Sequence, residues 1–97
     1  MEGIKEKEGK LDYSEINLTL LDMMAKRFMA NKDKYPKGNS KRSIDYKELA
    51  WASFRHIRKV LQPIKDDKES LEDHLSAIGC NISMIVDQLE LSQEKLV

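Results

Sequence analysis

Lys65-Asp66-Asp67-Lys68-Glu69-Ser70-Leu71-Glu72-Asp73-His74, with the run that follows it to Cys80-Asn81, turns a charged loop into an apolar-periodic helix. Ser70-Leu71-Glu72-Asp73 has the spacing of a capping box and sets acids in the first turn, where the helix dipole favours them. Beyond it Leu71, Leu75, Ile78, Ile82, Ile85, Val86 and Leu89 recur at helical spacing, which predicts a helix from Ser70 to about Leu91. His74 and Asn81 lie beside that stripe. They are seven residues apart, almost two whole turns, so their side chains point the same way. Polar groups near a buried stripe cost free energy unless they are paired. They form either a satisfied core network or a site.

Upstream, Pro63 stops a second helix that Ser43 or Asp45 opens, with Tyr46, Leu49, Ala50, Ser53, Phe54, Ile57, Val60 and Leu61 as its apolar stripe. On another face Lys47, Trp51, Arg55 and Arg58 follow one another at helical spacing. A ring among cations suits either a base with its phosphates or a subunit interface with the cations solvated. His56 adjoins the apolar stripe, the usual place of a satisfied core histidine. Further upstream Ser14 caps a first helix reaching about Asn31, in which Leu18, Leu21, Ala25 and Phe28 recur on one face. Met23, Met24 and Met29 there read as adaptable core packing.

Residues 31–42 join these two helices with Pro36, Gly38, Asn39 and five basic residues against one acid. Such a loop can wrap phosphates. Tyr35 is its one aromatic residue, and without interleaved stacking side chains nucleic-acid binding is not expected. Residues 1–13 form a charged lead-in and residues 92–97 a tail, leaving one helical domain over 1–97.

Ninety-seven residues make one domain, near the size at which folding buries only about two-thirds of the unfolded surface. A composition 40% hydrophobic and 35% charged, with four glycines and two prolines, describes a helix-rich globular chain rather than a disordered one. There is no strand-like alternation and no internal repeat. Three helices cannot enclose a core alone, and their wide apolar faces imply a homo-oligomer. No apolar run approaches the roughly 18 residues of a membrane span, and the charged beginning is not signal-like, so the expected location is cytoplasmic. Cys80 is a lone cysteine, which excludes an intrachain disulfide and lacks the paired spacing of a zinc site.

Net charge is zero but unevenly spread: lysine and arginine against acids number 3 to 6 over residues 1–25, 11 to 3 over 26–59, and 3 to 8 over 60–97. A basic segment beside an acidic one is what a phosphate-and-metal site needs, and equally what two solvated, mutually attracting surfaces provide.

The chain holds no Walker loop, no G-x-G-x-x-G, no H-E-x-x-H and no Ser or Cys nucleophile signature. What it does hold is an ordered series: Gly9-Lys10-Leu11; Lys34-Tyr35 followed by Asn39; Ala52-Ser53-Phe54-Arg55-His56; Glu69-Ser70; His74; and Asn81. In that order and spacing, over roughly residues 5–91, the series resembles the phage-associated dATP/dGTP diphosphohydrolase N-terminal family, all-α relatives of the MazG nucleotide pyrophosphohydrolases. The resemblance implies a MazG-like helical bundle completed by oligomerisation. It also implies a site that holds a nucleoside triphosphate and Mg²⁺ while water releases pyrophosphate, in host cytoplasm for a phage-encoded protein. By position, Lys10, Lys34 and Arg55 correspond to phosphate contacts and Asn39 and Asn81 to polar nucleotide-site residues. His56, Glu69 and His74 correspond to the centre of the site. Were the protein an enzyme, Glu69 and Asp73 would be its Mg²⁺ ligands.

The family's usual Arg, Asp, Trp and second His are here Asp12, Ser14, Ser40 and Ala77. The two-part acidic signature of MazG proper is absent, and fewer charged oxygens mean weaker Mg²⁺ binding. Three readings stay open: a pyrophosphohydrolase, a non-catalytic protein that captures a nucleotide or cyclic nucleotide as a sponge against host defence signalling, and a structural protein in which His56, His74 and Asn81 form a buried network.

Overall fold

Each helix starts where a side chain relieves its first unpaired amides. In the computed structural model, which describes residues 9–32 and 45–92, three helices follow in order: α1 over Leu18–Ala30, α2 over Tyr46–Leu61 and α3 over Leu71–Leu91. Asn17 caps α1 by accepting from the Thr19 amide at 2.9 Å, so this helix begins three residues later than a Ser14 cap predicts. Ser14 instead donates its amide to Asp12 in a local turn. Asp45 caps α2 through the Lys47 amide, 3.0 Å away. Ser70 and Asp73 close the expected capping box on α3, Asp73 N to Ser70 Oγ at 3.1 Å and Ser70 N to Asp73 Oδ2 at 2.9 Å.

Among the described residues there is no strand, and no helix is long and apolar enough to cross a membrane. The fold is all-α. α3 is its centre: α1 and α2 each pack on it and not on one another. The described part spans 53 × 33 × 23 Å with a radius of gyration of 16.3 Å, against about 13 Å for a compact chain of 100 residues.

The face that α3 turns inward is not its large apolar stripe. His74, Ser76, Ala77, Cys80, Met84 and Gln88 are buried, while Leu71, Leu75, Ile82 and Val86 are exposed. Small residues let the helices close up: a Cβ built on Gly79 would stand 2.8 Å from Met24 Cγ and Sδ, and Cys80 Sγ donates to the Met24 carbonyl at 3.4 Å. α1 buries no residue fully, and only Ser53 of α2 is buried. The expected stripes of these helices are therefore largely uncovered, with Leu18 and Leu21 on α1 and Phe54, Ile57 and Leu61 on α2 facing outward. The less exposed positions are Met23, Met24, Arg27 and Phe28 on α1 and Leu49, Ala52, Ser53, His56, Lys59 and Val60 on α2, which keep only part of each expected stripe. A single neighbour covers one narrow stripe, and the broad apolar faces read from periodicity exceed it.

Candidate functional site

The loop between α2 and α3 is built around Asp67. Its amide donates to the Ile64 carbonyl at 3.2 Å, Oδ1 accepts the Glu69 amide at 3.0 Å, and Oδ2 meets His74 Nε2 at 2.6 Å. Both carboxylate oxygens are thus committed. The Glu69 amide first, and then the His74 ring, hold the Asp67 carboxyl below the ordinary carboxylate range. A charge-assisted contact of this length fixes the His74 ring on its first helical turn.

From the other side of the ring, His74 Nδ1 stands 2.8 Å from Nδ1 of His56 on α2. The two ring centroids are 5.1 Å apart at 51°. With the ionised Asp67 accepting at Nε2, a neutral His74 carries its proton there and presents Nδ1 as acceptor. His56 then donates from Nδ1, and its Nε2 is left as an open acceptor. His56 is held below the ordinary imidazole value chiefly because burial disfavours the cation; Glu69 pulls the other way, and His74, Arg27 and Lys59 add repulsion. Among the described residues no buried side-chain nitrogen or oxygen lacks a partner, so the buried part of this chain of contacts is fully satisfied.

Glu69 completes the cluster. One ligand atom from each of His56, Glu69 and His74 lies within 4.8 Å of the others, with His74 buried and the other two half-buried. Beside them Arg55, His56, Arg58, Lys59, Gln62, Ile64 and Glu69 line an open groove of about 500 Å³. Arg58 and Lys59 stand in the last turn of α2, where the helix dipole favours cations. The arrangement can hold an anion against three cationic side chains and move a proton at an imidazole.

The residues singled out from sequence divide three ways. Arg55, His56 and Glu69 line this groove, and His74 joins His56 and Glu69 in the cluster beside it. Lys10 is exposed on the segment before α1, and the half-buried Asn81 lies further along α3; neither lines the groove. Asp73, expected beside Glu69 on a metal, is engaged in the capping box, where the Ser70 amide holds its carboxyl below the ordinary range. Its backbone carbonyl accepts from Arg27 Nη1 at 3.4 Å. Lys34 and Asn39 lie outside the described residues. Trp51 stays exposed and meets Phe54 edge-on, ring centroids 5.9 Å apart.

Sequence reasoning passed over Asp67, Lys59 and Arg27. Asp67 was legible in principle, since an Asp two residues before Glu69 suits an Asx turn that stiffens the entry to a helix. Arg27 was not, because only packing of α1 on α3 brings it near His56.

No curated protein and no solved structure is significantly similar to the chain. A family model matches it almost throughout, over residues 1–96, and it is the model to which the ordered series of Lys10, Arg55-His56, Glu69-Ser70 and His74 had pointed: the chain belongs to the dATP/dGTP diphosphohydrolase N-terminal family.

Proposed function

We propose that the protein binds a (deoxy)nucleoside phosphate, its phosphates against Arg55, Arg58 and Lys59 and its site centred on His56, Glu69 and His74. The observation that carries this reading is the groove itself. Three cations line one concavity with His56 and Glu69, two members of the histidine–glutamate cluster, in a chain of a diphosphohydrolase family. Phosphoryl chemistry asks mainly for positioning and for charge opposite the phosphates, and both are supplied by α2 and the loop after it. His56, with an open ring nitrogen on a neutral imidazole, suits the part of the base that takes a proton from water.

The Mg²⁺ that the family resemblance implies does not fit this donor set. Mg²⁺ wants an octahedron of oxygens, whereas the cluster offers one carboxylate and two imidazole nitrogens. That misfit favours a second reading, in which the groove captures a nucleotide or cyclic nucleotide without turning it over. For a phage-encoded protein in host cytoplasm, capture would lower a defence signal.

A homo-oligomer belongs to the same proposal. Leu71, Leu75, Ile82 and Val86 of α3 and Trp51, Phe54 and Leu61 of α2 remain exposed, more apolar surface than a soluble monomer ordinarily presents.

The experiment is incubation with a panel of linear and cyclic nucleotides, with and without divalent cations, reading both released product and ligand retained by the folded protein. Product release selects the hydrolase, retention without product selects capture, and neither would refute nucleotide binding.

A further inference from the structure

We infer that His56, Glu69 and His74 bind a divalent transition-metal ion, of the class from Mn²⁺ to Zn²⁺, and that Asp67 is the positioning residue of that site. The inference stands apart from the nucleotide reading, because it rests on ligand geometry alone and would hold whatever the groove accepts.

The Nδ1–Nδ1 distance of 2.8 Å between His56 and His74 is that of the hydrogen bond they share in the metal-free chain, and it holds the two candidate donor atoms side by side. Two nitrogens about 2.1 Å from one ion stand about 3.0 Å apart at right angles and about 3.4 Å apart in a tetrahedron, so the rings need part by only about 0.2–0.6 Å to admit one. Glu69 supplies a third donor within 4.8 Å of both. Two imidazoles and a carboxylate suit borderline metals and leave further positions for water or an anion. The groove with Arg55, Arg58 and Lys59 adjoins those positions.

Asp67 is what turns a cluster into a prepared site. Metal-binding histidines commonly donate their remote N–H to a carboxylate, which fixes the tautomer and makes the metal-facing nitrogen more basic. Here Asp67 Oδ2 takes that contact from His74 Nε2 at 2.6 Å, leaving Nδ1 as the lone-pair donor. Asp67 Oδ1 meanwhile accepts the Glu69 amide at 3.0 Å, so one carboxylate orients two of the three ligands. In the metal-free protein the His56 proton lies between the two Nδ1 atoms. On binding, that proton moves to His56 Nε2, the neutral ring keeps its protonation count, and both Nδ1 lone pairs face the ion. No thiol is involved: Cys80 is buried against α1 and donates to Met24.

The test uses the full chain, untagged and stripped with chelator. Titration with Co²⁺ is followed by its visible absorption and with Zn²⁺ by competition against a chromophoric chelator, with Mg²⁺ as the comparison. We expect one Co²⁺ or Zn²⁺ per chain at micromolar concentration, a raised melting temperature with either, and no comparable effect of Mg²⁺. His56→Gln and Glu69→Gln, both at half-buried positions, should each weaken binding, and the double variant should abolish the Co²⁺ spectrum. Asp67→Asn should weaken it about 10- to 100-fold with helical content unchanged. The absence of micromolar Co²⁺ and Zn²⁺ binding by the parent would overturn the proposal. So would equal binding by the His56→Gln/Glu69→Gln double variant, or equal preference for Mg²⁺.

Discussion

His74 sits where an alanine, leucine or isoleucine would be expected on a central helix, and it is only 2% exposed. A buried imidazole is tolerable because Asp67 and His56 take both ring nitrogens. Its truncation would strand those partners as well as open a cavity. His74→Ala should therefore cost about 2–4 kcal/mol of stability by urea unfolding.

The pH dependence that the site region contributes to the metal-free protein follows from directions at three groups. His56 titrates lower in the folded chain, so the unfolded chain takes the proton first. Its contribution is full above the ordinary imidazole value of about 6.5 and declines as pH falls below it. Asp67 and Asp73 are also held low, so theirs is present above about 3.9 and lost as pH falls further. Melting temperature should fall in two stages on acidification, and His56→Gln should remove the upper one; a single stage unchanged by that substitution would refute the assignment. At this scale periodicity singled out both histidines beside the apolar stripes, and the family resemblance placed them with Glu69 at one site. Neither could show that His56 and His74 touch, because their separation of 18 residues spans a loop whose turn Asp67 sets.

The three helices were legible as elements because each carries its own signals: a cap residue, an apolar period and, for α2, a terminating Pro63. The α3 capping box was readable to the residue. Ser70→Ala should cost about 1 kcal/mol, as loss of an N-cap does, and Ser70→Asp should keep most of it. Facing was less legible. Periodicity finds the widest apolar stripe, but α3 uses its small and polar side inward because close approach at Gly79, Ala77 and Cys80 brings α1 and α2 near enough to place Arg27 and His56. This makes a sharp forecast for the contact with Met24. Gly79→Ala gains about 1 kcal/mol of helix propensity yet forces Met24 aside, for a net loss of about 1 kcal/mol in the parent. In a Met24→Ala background the same change should stabilise. Additive effects in that double-mutant cycle would mean that the two residues do not meet.

At the scale of the whole molecule, an open arrangement around α3 leaves most large apolar side chains uncovered. The sequence already implied this, since three helices with wide apolar faces cannot cover one another. Sedimentation at micromolar concentration should show a homo-oligomer, and Ile82→Glu with Val86→Glu on the exposed α3 stripe should dissociate it. A folded parent monomer would remove the argument.

The central claim is that α2 and the Asp67 loop together form a phosphate site beside the histidine–glutamate cluster. Calorimetric titration of dATP and dGTP into the parent and into an Arg55→Ala/Lys59→Ala variant, with Mn²⁺ present, addresses it directly. The parent should bind at least one of them with an affinity that falls as salt rises. The variant, with two cations removed from the groove but its helical content retained, should bind at least about tenfold more weakly. Equal affinity in parent and variant, or no binding by the parent, would show that the cations of this groove only solvate the surface.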